Sequence, residues 1–125
     1  MLNCLAVGLG GFIGAVIRYL MGLIPIKNPA SFPVNTFIIN IAGAFAIGCI
    51  AYAMSKNQNI DSRLILFLKV GICGGFTTFS TFSLETLTLF ENGKAFAGSI
   101  YGILSLVLCV AGVWLGQYWA KALLS

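Results

Sequence analysis

The sequence predicts an all-α membrane protein of four transmembrane helices, and three observations support that fold class. First, 59% of the 125 residues are hydrophobic and only 8% are charged, which is too little charge to cover a soluble domain. Second, the apolar residues form four long runs, and about 20 such residues suffice for one helical crossing. Third, the connecting segments are short, so successive helices must alternate in direction. We therefore expect a multi-pass protein of the cell (inner or plasma) membrane, with the lipid bilayer as its solvent.

The four runs predict spans at residues 2–24, 33–54, 64–90 and 95–123, which together form one transmembrane domain. Pro25 and Pro29 break the first run, and the second begins at Pro33, a suitable first-turn residue. A polar loop at 55–63 and a turn at 91–94 separate the remaining runs. Glycines four residues apart predict close helix packing, at Gly10 and Gly14, Gly71 and Gly75, Gly98 and Gly102, and Gly112 and Gly116.

Composition argues against several function classes. The net charge of +4 is scattered, without a basic cluster or an aromatic RNA-binding signature, so we expect no nucleic-acid partner. The four cysteines lack C-x-x-C spacing and the chain has no histidine, which argues against a zinc site. A nucleophile–base pair is missing too, so an enzyme is not expected. The first run lacks the basic start of a cleavable signal peptide.

The basic residues give little preference for one orientation in the membrane. Four spans place both termini and the central loop on one side. The two sides divide the basic residues into Lys56, Arg63, Lys69 and Lys121 against Arg18, Lys27 and Lys94. Under the positive-inside rule this even split predicts either that another feature sets the topology or that the protein inserts both ways.

Several polar side chains fall inside the predicted spans, where they usually face other helices or water. They are Arg18, Asn40, the hydroxyls from Thr77 to Ser83, Glu85, Tyr101 and Ser105. Simpler interpretations stay open for each of them. Arg18 could extend its head to the interface, and Asn40 could hydrogen-bond between helices. Serines and threonines often bond to their own helix, and Tyr101 with Ser105 could be ordinary packing.

The third span predicts a broken helix and an anion path. Gly74-Gly75 followed by Thr77-Thr78 is a place where helical hydrogen bonding can fail, and the freed carbonyls could bind a small cation. Phe76, Phe79 and Phe82 recur every third residue, beside a similar stripe formed by the hydroxyls of Thr77, Ser80 and Ser83. A phenyl ring is positive at its edge, so ring edges alternating with hydroxyl and amide donors would suit a small, hard anion. Asn40 would supply such donors without a negative charge.

Three segments of the chain resemble the Fluc family of bacterial fluoride channels, also called CrcB. They are "GGFIGAVIRY" in the first span, "NTFIINIAGAF" in the second and "GGFTTFSTFSLE" in the third. The third of these is highly specific in a four-span protein of this length. The fourth span matches more loosely, mainly through Tyr101 and Ser105.

The resemblance implies an antiparallel, dual-topology homodimer with two fluoride pores, which lowers cytoplasmic fluoride by passive efflux. The family's two pore phenylalanines correspond to Phe79 and Phe82, and its pore asparagine to Asn40. Further implied residues are the hydroxyl partners Ser80 and Thr81, the fourth-span track Tyr101, Ser105, Cys109 and Val113, and the vestibule arginine Arg18. The resemblance also implies a structural, untransported sodium ion held by the backbone carbonyls of Gly74 and Thr77. Cys109 is a weak hydrogen-bonding group and Val113 has none, so the far end of the track departs from the family pattern.

Two other functions compete with this interpretation. A small multidrug transporter also has four spans and can insert both ways, but it needs a membrane-embedded acid in its first span. Here the first span carries Arg18 and no acid, and Glu85, the one deep carboxylate, suits a pore mouth better. The other alternative is a membrane scaffold protein that transports nothing.

Overall fold

The computed structural model describes residues 1–26 and 32–125, and all regular structure in these residues is helical. Four helical spans are long and apolar enough to cross a membrane: Leu2–Gly22, Val34–Lys56, Ser62–Glu91 and Ala95–Leu124. The predicted fold class of four transmembrane helices is thereby confirmed. Pro29, which was expected to break the first run, and Lys27, which entered the orientation count, lie outside the described residues.

Helix α1 (Leu2–Gly22) packs along the first part of the third span through backbone contacts at glycines. A methyl group on Gly10 would collide with the carbonyl oxygen of Phe67. On Gly75 it would lie 2.6 Å from the carbonyl oxygen of Gly11. In a bilayer, where apolar burial does not drive helices together, such close approach is the source of their van der Waals attraction.

Helix α2 (Val34–Lys56) packs along the last helix, Ala95–Leu124, in the same manner. Gly48 lies against the backbone of Val113, and Gly116 is buried against the backbone of α2. The pair Gly98 and Gly102 behaves differently from the prediction. An added methyl group on Gly98 would meet the side chain of Phe90 at 3.2 Å, and one on Gly102 would meet no described atom within 4 Å. The reason is that an aromatic ring, and not another backbone, faces this part of the helix.

The third span changes helix type and then breaks. Its parts are α3 (Ser62–Ile65), a π-helical segment (Leu66–Cys73), α4 (Gly74–Phe76) and α5 (Phe79–Glu91), and α6 (Ala95–Leu124) follows. Thr77 and Thr78 are extended, with φ/ψ of −82/155° and −148/121°. The predicted break is confirmed, but Gly74 keeps helical angles of −64/−39°, so the interruption follows the glycine pair.

Much of the apolar surface faces outward. Only 11–22% of the residues in the core of each span are buried within the chain. Large side chains such as Phe12, Leu106 and Trp114 are each more than 60% exposed. A bilayer is the surrounding that fits such a surface, and the chain is a multi-pass membrane protein.

Candidate functional site

Side chains from α1 and α2 bind the backbone groups that the break leaves free. In a continuous helix the amide of Thr78 would donate to the carbonyl of Gly74. Instead it donates to Asn40 Oδ1 at 2.9 Å, and Asn40 Nδ2 donates to the Thr78 carbonyl at 3.0 Å. Arg18 Nε donates to the carbonyl of Gly75 at 3.1 Å. Asn40 therefore does join two helices, and Arg18 does more than extend to the interface.

The break also leaves the carbonyls of Gly74 and Thr77 without the amide donors that they would have in a regular helix. The Thr81 amide, which would otherwise bind the carbonyl of Thr77, donates to Thr78 Oγ1 at 3.2 Å and so caps α5. The hydroxyl and the amide of Thr77 both donate to the carbonyl of Cys73, at 2.8 and 3.0 Å. Gly74 and Thr77, the two predicted sodium ligands, thus each lose the amide that would bind their carbonyl oxygen.

A groove of about 700 Å³ runs beside the break, between α2, α5 and α6. It is lined by residues that include Asn40, Phe79, Phe82, Ser105, Cys109 and Val113. The fold thus brings together Asn40, both phenylalanines and Ser105, together with the two positions at the far end of the fourth-span track. Gly102, which lacks a side chain, also lines the groove and widens it.

The aromatic rings form a chain that begins at the open side of this groove. The centroids of the Phe79 and Phe82 rings are 5.6 Å apart, and those of Phe82 and Tyr101 are 5.0 Å apart. Phe79 is 79% exposed, whereas Tyr101 is fully buried. Phe76 precedes the two extended residues, so the regular spacing of the three phenylalanines does not place them on one continuous helical stripe.

The two fourth-span hydroxyls have different surroundings. The Tyr101 hydroxyl donates to Glu85 Oε1 at 3.2 Å. Ser105 is buried, and its hydroxyl has no hydrogen-bond partner in the described part of the chain. An unpaired buried hydroxyl costs about 1–3 kcal/mol, so a hydrogen-bond partner from outside the described chain would stabilise Ser105.

A second cavity of about 250 Å³ lies on the other side of the break. Its lining includes Arg18, Asn35, Thr36, Thr78 and Thr81. Since Thr78 borders both cavities, the extended residues separate the Arg18 cavity from the aromatic groove. Ser80 is exposed, with its hydroxyl 3.4 Å from that of Thr78.

Part of the predicted hydroxyl stripe is bonded within its own helix. Ser83 donates to the carbonyl of Phe79 at 2.8 Å, as Thr77 does to that of Cys73. These two hydroxyls therefore follow the simpler interpretation, in which the donor is used locally.

The sequence argument missed two residues of α2. Thr36 lies one turn before Asn40 and so on the same helical face, a spacing that could have identified it. Asn35 donates to the carbonyls of Gly22 and Ile24 at 3.1 Å each and so binds the end of α1. No local pattern signals that role, because the two partners lie at the end of α1 and just beyond it.

Comparison with known proteins places these residues in a family. Residues 5–117 match the family described as CrcB-like protein, Camphor Resistance (CrcB). The chain is 48% identical over 126 residues to the fluoride-specific ion channel FluC of Ruminiclostridium cellulolyticum, covering 100% of this chain and 97% of that protein. It is 45% identical over 118 residues to the FluC of Shewanella denitrificans, covering 94% of each. The chain therefore belongs to the CrcB family, also called Fluc.

Proposed function

We propose that this protein is a fluoride-selective channel through which fluoride leaves the cell passively, so that the cytoplasmic concentration falls. Its relatives, which it matches over nearly their whole length, are named as fluoride-specific ion channels. The chain is therefore not an enzyme. The observation that supports the proposal best is the buried hydroxyl of Ser105, which has no hydrogen-bond partner among the described residues and lines one groove with Phe79, Phe82 and Asn40.

The groove supplies the kind of contacts that a dehydrated fluoride ion needs. Ring edges carry partial positive charge, and hydroxyl and amide hydrogens bind anions without a permanent opposite charge that would trap them. Asn40 Nδ2 has two hydrogens, and within the described residues one donates to Thr78 while the other remains available to an ion. Glu85 accepts from Tyr101, which offsets its negative charge near this path.

The two cavities suggest an order of groups along the proposed path. Fluoride would enter the cavity with Arg18 and Thr81, pass Thr78 with Ser80 and Asn40, and then meet the rings of Phe79 and Phe82. Ser105 would bind it along α6, with Tyr101 behind the ring of Phe82. The Cys109 thiol would be a weak donor beyond Ser105, and Val113 would contribute only shape.

The working unit would be an antiparallel homodimer with two pores. Phe79 and Ser80 are exposed on the single chain, although they lie at membrane depth beside the break. Lipid tails are a poor partner for the hydroxyl of Ser80. A second copy would cover this face and complete the wall of each groove.

A sodium ion at the centre of that dimer would have a structural role and would not be transported. Carbonyl oxygens are suitable ligands for a hard cation, and those of Gly74 and Thr77 lack the amide that would bind them in a regular helix. The hydroxyl of Thr77 donates its hydrogen to the Cys73 carbonyl, and the backbone carbonyl of Thr77 is the ligand that we propose. The residues present therefore fit the ion.

Fluoride efflux from liposomes separates this proposal from its alternatives. Purified protein should release fluoride, measured with a fluoride electrode, when a potassium ionophore balances the charge. A small multidrug transporter would instead exchange protons for a cationic dye. A scaffold protein would move neither fluoride nor the dye. Absence of fluoride release from vesicles that contain folded protein would refute the proposal.

A further inference from the structure

We infer that Asn40 and Arg18 are positioning residues, which hold the third span open at Thr77 and Thr78. This role is separate from any contact that either residue makes with an ion. It concerns how the break is maintained, and so why the carbonyls of Gly74 and Thr77 stay outside the helical hydrogen-bond pattern.

The geometry at Asn40 supports this role most directly. Its carboxamide makes two hydrogen bonds to one residue, accepting from the Thr78 amide at 2.9 Å and donating to the Thr78 carbonyl at 3.0 Å. A neighbouring β-strand would satisfy an extended residue through the same two groups. The side chain of α2 thus substitutes for a strand and makes the extended conformation of Thr78 favourable at membrane depth, where unpaired backbone groups are costly.

Two further contacts act on the residues around Thr78. Arg18 Nε binds the carbonyl of Gly75, which a continuous helix would pair with the amide of Phe79. Gly43, almost one turn after Asn40 on α2, leaves room for the side chain of Thr77, because a methyl group there would collide with Thr77 Cγ2. Helices α1 and α2 therefore both contact the break, one from each side.

Loss of the Asn40 contact has a defined consequence. The Thr78 amide would then be unpaired, or it would return to the carbonyl of Gly74 and close the helix. Closing the helix would remove an oxygen from the proposed cation site and would change the direction of α5. The effect on fluoride flux rests on the proposed function, whereas the hydrogen bond itself can be tested without any flux.

The test is NMR spectroscopy of the full chain in nanodiscs, with ¹⁵N,¹³C-labelled threonine and glycine. Thr77, Thr78 and Thr81 provide three amides with different acceptors, namely a backbone carbonyl, Asn40 and a hydroxyl. In the unmodified protein the Thr78 amide should exchange slowly, and the ¹³Cα shifts of Thr77 and Thr78 should be those of extended residues.

Asn40→Leu keeps a side chain of similar size but removes both hydrogen bonds to Thr78. Either the Thr78 amide should exchange at least about tenfold faster, as expected for loss of one hydrogen bond, or the ¹³Cα shifts of Thr77 and Thr78 should become helical. Asn40→Asp keeps an acceptor oxygen, so the Thr78 amide should stay protected even where fluoride flux is lost. Asn35→Leu, the matched control on the same helix, should leave the Thr78 amide unchanged.

A second variant tests Arg18 and does not depend on the folding of Asn40→Leu. Arg18→Met keeps the apolar stem and should move the ¹³C carbonyl signal of Gly75 upfield, as for a carbonyl that loses a donor. Fast exchange of the Thr78 amide in the unmodified protein would overturn the inference for Asn40. Unchanged exchange and shifts in folded Asn40→Leu would do the same, and an unmoved Gly75 signal would overturn it for Arg18. Failure of the fluoride assay alone would refute the proposed function and leave these results intact.

Discussion

Phe79 and Phe82 line the same groove, but the chain covers them very differently. Phe79 is 79% exposed, whereas Phe82 packs against Tyr101 at a centroid distance of 5.0 Å. We expect Phe79→Ile and Phe82→Ile each to reduce fluoride flux at least about tenfold, a barrier change of about 1.4 kcal/mol. Isoleucine keeps an apolar side chain but has no ring edge to offer to an anion. Flux from liposomes at matched protein density gives the measurement.

The control for these variants is Phe96→Ile. Phe96 is 82% exposed near the start of α6, away from the groove, so its replacement should leave fluoride flux unchanged. Size-exclusion chromatography should show the same folded species for all three variants. If Phe79→Ile and Phe82→Ile both keep full flux, fluoride does not pass along the rings.

Asn40→Asp should abolish fluoride permeation at neutral pH. The substitution is nearly isosteric, but it replaces a donor amide by an acceptor and, when ionised, adds a negative charge to the route of an anion. Asn40 borders the groove beside Phe79, so the added charge would act where the ion is least hydrated. The same liposome assay provides the measurement, and efflux equal to that of the unmodified protein would remove Asn40 from the pore.

At the level of secondary-structure elements, the sequence was sufficient to predict the four helical spans and the existence of the break. Long apolar runs and short polar loops predict four spans, because hydrophobicity and chain length decide them locally. The position of the break was harder to predict, since Gly74-Gly75 only permits an interruption. Thr77 and Thr78 are extended because Asn40, 38 residues earlier than Thr78, binds the backbone there. No local propensity contains that contact.

In the candidate site, too, local sequence predicts some features, and contacts between distant residues decide the others. The groove residues Asn40, Phe79, Phe82 and Ser105 were identified through motifs. By contrast, the bond from Arg18 to Gly75 and the bond from Tyr101 to Glu85 join different helices. The π-helical segment Leu66–Cys73 has the composition of an ordinary apolar helix. Its widened turns therefore could not be read from residue types.

The two glycines before the break predict different mutant effects. A methyl group on Gly75 would lie 2.6 Å from the carbonyl oxygen of Gly11, whereas one on Gly74 would meet nothing within 4 Å in the described chain. Gly75→Ala should therefore lower stability by about 1–3 kcal/mol, a typical cost of overpacking. This loss, measured by thermal unfolding in detergent, should not change when the protein is diluted, because the contact lies within one chain. A stability for Gly75→Ala equal to that of the unmodified protein would contradict the packing of α1 on α4.

At the scale of the whole molecule, we expect dual topology that is easily disturbed. The basic residues that set orientation are almost evenly divided between the two sides, so a few lysines added to the loop at 55–63 should fix one orientation. A dimer that needs opposite orientations would then lose fluoride flux. Co-expression of a copy biased the other way, with lysines added at 91–94, should restore that flux.

Reporter fusions at Ser125 measure the orientation directly. The unmodified protein should give signals for both sides of the membrane, and each lysine-rich variant should give one. As a control, the same number of added glutamines should change neither orientation nor flux. A single orientation in the unmodified protein would defeat the expectation of dual topology.

We expect a central cation where two copies of the chain meet at the break. Antiparallel pairing would bring the carbonyls of Gly74 and Thr77 from both chains around one point, where oxygen atoms without a positive partner are costly. A sodium ion would therefore stabilise the dimer without carrying current.

Because the ligands would be backbone carbonyls, Thr77→Ser should keep the site. Gly74→Val adds bulk at a position where a Cβ meets no described atom within 4 Å, and it should weaken the dimer in a dilution-dependent manner. The decisive measurement replaces sodium by a large organic cation and follows both dimer integrity and fluoride flux. Both should fall, and their persistence after exhaustive exchange, with no density between the two copies of Gly74 and Thr77, would mean that no ion holds the halves together.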